Sequence, residues 1–419
     1  MVIRIIDFLY IFFGTLLLFL FSSSQWLETH FINLKPAIYI IFISFFCLNI
    51  KNLFKYSISL LKENLRNLDF LIIMSMFIFF IIQGKINFYA ISFLSLYFFL
   101  SSLYKYEIES KTAFIELIIN CIVISGIVTA FGIYAGLIES IYFETNLFHS
   151  HQPPGYPNPT SKIIQNTTGL TLSSHISGFQ TSINYSAYAI IASIGVLNLI
   201  KLKQSIIFII KVFSFFALFL TQAKIGILYF AILLSLKLFA KFDQSLKIIL
   251  ISLICFAYVF LTHFTIVEGS TEILYTKYYR ELSFSLFNFD FYISLFSWLK
   301  LNSLNYIISS DISVLGLNGF IAFANNSDPH SLFFSSVFIG GLAFAILLSI
   351  KLCYILFNYF FKNRNKEVYF SAALCSFILE SLVWDSYDSP IFWLIVLLGQ
   401  NYQSINIFLL QGFGEKKNL

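Results

Sequence analysis

Long apolar runs recur from one end of the chain to the other, and they constrain the fold more than any other feature. Most are about 16–20 residues long, the length at which an α-helix crosses the hydrocarbon core of a bilayer. Twelve can be drawn: 6–23, 36–53, 69–84, 87–103, 113–138, 181–200, 205–220, 224–240, 248–265, 332–351, 368–384 and 390–410. Only 11% of the residues are charged, against roughly 25% in soluble domains, too few to cover a water-facing surface. The expectation is an all-α, polytopic integral membrane protein of about twelve transmembrane helices, with residues 1–419 forming a single membrane domain. The first run has no small-residue cleavage site and is followed by further spans, so it reads as a retained helix rather than a signal peptide. The five cysteines lie inside apolar runs and show neither metal-ligand spacing nor a disulfide framework.

Lys and Arg give the orientation. With the N-terminus in the cytoplasm, 19 of the 26 basic residues fall on the inner side and 7 on the outer, the asymmetry expected of loops that stay inside. The C-terminus is then cytoplasmic too. The net charge of +5 therefore reports orientation and gives no sign of nucleic-acid binding. Two connections are long, and both come out external. The first, 139–180, carries four prolines between Pro153 and Pro159, which rule out a helix there. The second, 266–331, lies between the ninth and tenth spans. Its part 270–305 mixes aromatic residues with a few charges, as helices lying along a membrane interface do. All six histidines fall on or near the outer face, and Arg280 is the single external arginine.

Four external stretches hold the chemistry. One is "SHISGFQTSINYSAYA" (174–189), with His175, Gly178 and Asn184, entering a span. Another is "LTQAKIGIL" (220–228), which puts Lys224 at a tight turn between two spans. In "TKYYRELSF" (276–284), Lys277 and Arg280 are one turn apart if helical. The last is "NNSDPHSLFF", where Asp328, Pro329, His330 and Ser331 lead into an apolar run containing Gly340-Gly341.

In their order and sidedness these stretches resemble the O-antigen ligase and O-antigen polymerase family of membrane glycosyltransferases. Ser177-Gly178 with the later Asn184 matches the family's first motif, with His175 where an arginine is usual. Thr221-Gln222-Ala223-Lys224 matches the second, with lysine for arginine. Arg280 fits the arginine of the large external loop, and His330-Ser331 with Gly340-Gly341 fits the last motif. The resemblance covers roughly residues 170–350.

It implies an enzyme of the bacterial inner membrane with its active site on the periplasmic side. Such an enzyme takes an oligosaccharide from a polyprenyl-pyrophosphate carrier and passes it to an acceptor hydroxyl. A growing surface polysaccharide as acceptor makes it a polymerase, and lipid A–core makes it a ligase. A protein-glycosylating relative is a third version. His330 and Arg280 would be catalytic; Lys224, His175, Gly178, Asn184, Lys277, Asp328 and Ser331 would bind substrate. The chemistry suits these residue types. A leaving pyrophosphate needs cations, and guanidinium forks match its oxygens best. An acceptor hydroxyl needs a base that titrates near neutrality, which histidine does. No Asp-x-Asp motif is present, so neither metal nor other cofactor is expected.

Plainer readings stand beside these. His330 could be an interfacial helix start, Arg280 a headgroup cation and Lys224 a snorkelling lysine. Glu380, in the eleventh span, is an acid in an expensive place and calls for a basic partner. A transporter of lipid-linked sugars is the rival class, but it would show internal repeats and charged or broken spans.

Overall fold

The computed structural model describes residues 12, 16, 68–83, 111–142, 148, 176–180, 182–200, 202–238, 249, 252–253, 332–362, 367–381, 389–400 and 402. This part of the chain is helical. Its elements are α1 (Leu68–Gln83), α2 (Lys111–Tyr142), α3 (Ile183–Val196, ending in a 3-10 turn Leu197–Leu199), α4 (Gln204–Thr221), α5 (Lys224–Leu238), α6 (Leu332–Lys362), α7 (Val368–Glu380) and α8 (Pro390–Gln400). Within α2, α4 and α6, the stretches Ile118–Tyr142, Gln204–Thr221 and Ala343–Phe360 are long and apolar enough to cross a membrane. The expected spans 6–23, 36–53, 87–103 and 248–265 lie wholly or largely outside the described residues.

Helix α3 is the hub. Every residue from Ser186 through Leu197 is buried, which suits its sequence of Ile, Ala, Ser and Gly. Ser182 starts the helix, its hydroxyl accepting from the Asn184 N–H at 3.2 Å. Helices α2, α4, α5, α7 and α8 all pack on α3. Small residues bring α2 and α3 together. A Cβ added at Gly126 would collide with Ser193 of α3 and lie 2.7 Å from the Ala189 carbonyl oxygen. Close backbone approach through glycine is how helices associate where no water drives them together. By contrast, α4 exposes Phe208, Ile209, Phe216 and Phe219 on its outer surface, a face suited to hydrocarbon.

Contacts between helix termini define two ends of the bundle. At one, Lys237 of α5 bonds the Tyr369 hydroxyl of α7 at 3.1 Å, and Asn198 after α3 donates to Glu367 at the start of α7. At the other lie the starts of α3, α5 and α6 and the finish of α7. There the Leu332 N–H donates to the Ser381 carbonyl at 2.8 Å.

Several boundaries differ from expectation. Helix α6 continues past 351 to Lys362, because Lys351 does not end it. Its ammonium is buried and paired with Asp69 of α1, so the charge is satisfied inside the bundle. Lys211, which reads as a loop charge, sits two turns inside α4 and reaches back to the Asn198 side-chain carbonyl at 2.6 Å. Helix α7 stops at Glu380, short of 384, and α2 runs on to Tyr142.

Helix α6 is also bent. Leu332 bonds Ser381, while the Tyr359 hydroxyl lies 2.9 Å from Ser371 Oγ. On α7 those partners are ten residues apart, about 15 Å of helix, while Leu332 and Tyr359 are about 40 Å apart along a straight one. The two hydrogen-bonded links cannot make up the difference. Gly340-Gly341 is the place in α6 where the sequence is least able to hold a helix straight.

Candidate functional site

The stretch around Gly178 folds back onto α2. The Ser177 and Gly178 N–H groups both donate to the Phe148 carbonyl at 3.0 Å, and the Phe148 N–H donates to Glu139 Oε2 at 2.9 Å. Gly178 has φ of +61°, and a Cβ there would come within 2.9 Å of the α2 backbone at Gly132 and Ile133. Only glycine meets both demands. Phe179 packs edge-on against Phe148, with ring centroids 5.3 Å apart, and covers Gly132. Gln180 donates to Thr129 Oγ1 at 3.4 Å, and Ser186 Oγ donates to the Ser177 carbonyl at 2.6 Å. This part of the first motif is thus a buried turn locking α2 to α3. The structure gives Gly178 a conformational task. Asn184 sits half-buried in the first turn of α3 at the same end, its side-chain amide bonded to none of the described residues.

The second motif is a two-residue turn. Gln222 takes the left-handed conformation, φ 58°, and its N–H closes onto the Phe219 carbonyl at 3.2 Å. Thr221 Oγ1 accepts from the Ala223 N–H at 3.2 Å, so the motif's threonine caps the start of α5. Lys224 is the first residue of that helix. It feels the Glu380 carboxylate electrostatically, yet among the described residues it makes no direct ion pair or hydrogen bond. Its ammonium is therefore attracted to an acid it does not touch.

Glu380 is 3% exposed at the last turn of α7, and Lys224 is a cation close enough to feel its charge. The next residue, Ser381, accepts from the Leu332 N–H, which follows His330 by two positions. Lys224, Glu380 and the start of α6 thus occupy one end of the bundle, with Asn184 and the Gly178 turn at that same end. His330, Arg280, His175, Lys277, Asp328 and Ser331 lie outside the described residues. Ser381 was not legible as an anchor in the sequence. Glu139 carried a weak signal, an acid closing a long apolar helix.

No protein family, curated protein or solved structure matches the chain.

Proposed function

We propose that the chain is a membrane glycosyltransferase of about twelve spans. It transfers oligosaccharide from a polyprenyl-pyrophosphate carrier to an acceptor sugar hydroxyl at the outer face of the bacterial inner membrane, and so lengthens a surface polysaccharide. One observation carries the reading: the Lys224 turn, buried Glu380 and the start of α6 behind His330 meet at one end of the helical bundle. Lys224 is more than a hundred residues in sequence from both of the others, and two of the three belong to the stretches that resemble the transferase family. Lys224, with no carboxylate in contact among the described residues, is placed to meet an anion such as the pyrophosphate, and the nearby Glu380 charge orients it. Arg280 adds the guanidinium fork and His330 takes the hydroxyl proton.

The deciding experiment is the glycolipid pattern of a strain lacking the protein. A polymerase leaves core carrying a single repeat. Long chains stranded on the carrier lipid would identify the ligase instead. Intact transfer with failed translocation would overturn the enzyme reading in favour of a transporter.

A further inference from the structure

The opposite end of the bundle holds a second polar cluster that the transfer reaction does not use. Two lysines from different helices share one aromatic ring. Lys211 Nζ of α4 stands 3.8 Å from the Tyr369 centroid and Lys237 Nζ of α5 stands 4.7 Å from it. The two ammonium groups repel each other. Neither is in direct contact with a carboxylate among the described residues. The one described acid nearby, Glu367, has both oxygens committed: Oε1 accepts from Asn198 and Oε2 accepts from the Phe370 N–H at 2.7 Å, capping α7. Asn198 is in turn engaged by Lys211 through its side-chain carbonyl. Among the described residues, two cations thus face one carboxylate that reaches the lysines only through an intervening amide.

The cluster is open to the outside. Lys237 and Asn198 are exposed, whereas Lys211 is buried and fixed. Lys237 donates to the Tyr369 hydroxyl, which leaves two of its three ammonium hydrogens without a described acceptor. The electron-rich Tyr369 face holds both cations in place without neutralising them. A site with a surplus positive charge, one fixed and one accessible ammonium and an adjoining amide is matched by a phosphate oxyanion.

We propose that Lys211, Lys237 and Asn198 form a phosphate-binding site at the end of the bundle remote from Lys224 and Glu380. The anion accepts from Lys237 directly, and buried Lys211 supplies the field behind it. The phosphate can belong to a lipid headgroup or be free in solution. The site is independent of the transfer reaction, and rests on the membrane reading only for the lipid source.

The test uses the full chain in lipid nanodiscs of phosphatidylcholine containing graded phosphatidylglycerol, with bound lipids counted by native mass spectrometry. A second arm titrates inorganic phosphate onto the detergent-solubilised protein and follows binding by 31P NMR. Lys237 is exposed, so Lys237→Gln folds; Lys237→Arg keeps the charge. Preferential retention of phosphatidylglycerol that falls about fivefold in Lys237→Gln and survives in Lys237→Arg supports a headgroup site. Phosphate binding with the same dependence, but no lipid preference, supports the site with free phosphate as its ligand. Identical behaviour of wild type and Lys237→Gln in both arms overturns the proposal. So does a Lys237→Arg variant as weak as Lys237→Gln, which would reduce the residue to packing on Tyr369. A chain that stays dispersed without detergent would sink the membrane reading, while the phosphate arm still decides the site.

Discussion

The Leu332 backbone N–H donates to the Ser381 carbonyl at 2.8 Å, joining the first residue of α6 to the residue that follows Glu380. A helix-start N–H has no partner within its own helix, so this bond also meets a need that water or a cap would otherwise meet. It fixes where the chain arriving from His330 enters the bundle, and it sets that entry beside a buried acid.

Glu380→Gln should therefore lower transfer while leaving the protein inserted, because Lys224 loses the charge that orients it. Lys224→Gln should lower transfer as well. The double variant should be no worse than the more damaged single one, since both changes break the same coupling. Transfer by the three purified proteins is the measurement. Fully additive losses would mean that the two residues act separately.

His330→Asn should be nearly as inactive as His330→Ala, with transfer down by about 10²–10⁴-fold, the usual worth of a general base. Asparagine can replace a polar helix start but cannot take a proton. Near-normal turnover of the Asn variant, at matched expression, would reassign His330 to a helix start. Transfer should also persist in EDTA.

Gly178→Ala should destabilise the protein by at least about 1–3 kcal/mol, the cost of holding a side chain in a sparsely populated backbone region. The new Cβ would also meet the α2 backbone at 2.9 Å, so α2 and α3 must separate. Thermal unfolding in detergent reads this. A melting temperature equal to wild type would mean that the turn rearranges freely.

Lys351→Met should cost up to about 3–5 kcal/mol, because the buried Asp69 carboxylate loses the ammonium paired with it. Adding Asp69→Leu to that variant should recover much of the loss. Unfolding midpoints of the single and double variants test it, and a double variant no better than the single one would refute the pairing argument.

Burial pushes the Glu367 carboxyl above its ordinary value of 4.5, against the opposing pull of its hydrogen bonds to Phe370 and Asn198 and of Lys211. The folded protein then holds that proton more tightly than the unfolded chain. Its contribution is fully present below 4.5 and is lost as pH rises through the higher folded value. Wild type should gain stability relative to Glu367→Gln as pH falls through that window. Melting curves of the two proteins from neutral to mildly acid pH provide the check, and a constant difference would contradict the burial argument.

Helix starts were legible in the sequence, and some helix ends, at Gln83 and Thr221, were too. Ser182, Lys224, Leu332, Val368 and Pro390 each stand where a polar or proline-bearing segment gives way to an apolar run, and each lies within a residue or two of an observed start. Features that were misread depended on partners far away in the chain. Lys351 reads as a boundary until Asp69, 282 residues distant, is found beside it. Lys211 reads as a loop charge until Asn198 is found within its reach. At the site, the Thr221–Lys224 pattern pointed to a tight turn and the structure has one. Glu380 asked for a cation, and periodicity could not show that Lys224 comes near it, because that proximity comes from the packing of α5 on α7. Gly178 stood out by its resemblance, whereas its left-handed backbone and its contact with Gly132 come only from the packing of α2 on α3.

Helix α7 acts on α6 as a string acts on a bow. The string is tied at Ser381 to one tip and at Ser371 to the point on the other limb where Tyr359 reaches across. Its short length holds the longer helix in a curve. The far knot is doubled, because the Tyr359 ring also packs on Phe360, Phe370 and Tyr402. The position of Leu332, where α6 begins, is thus set by a tether along the whole of α7 as well as by its own neighbours.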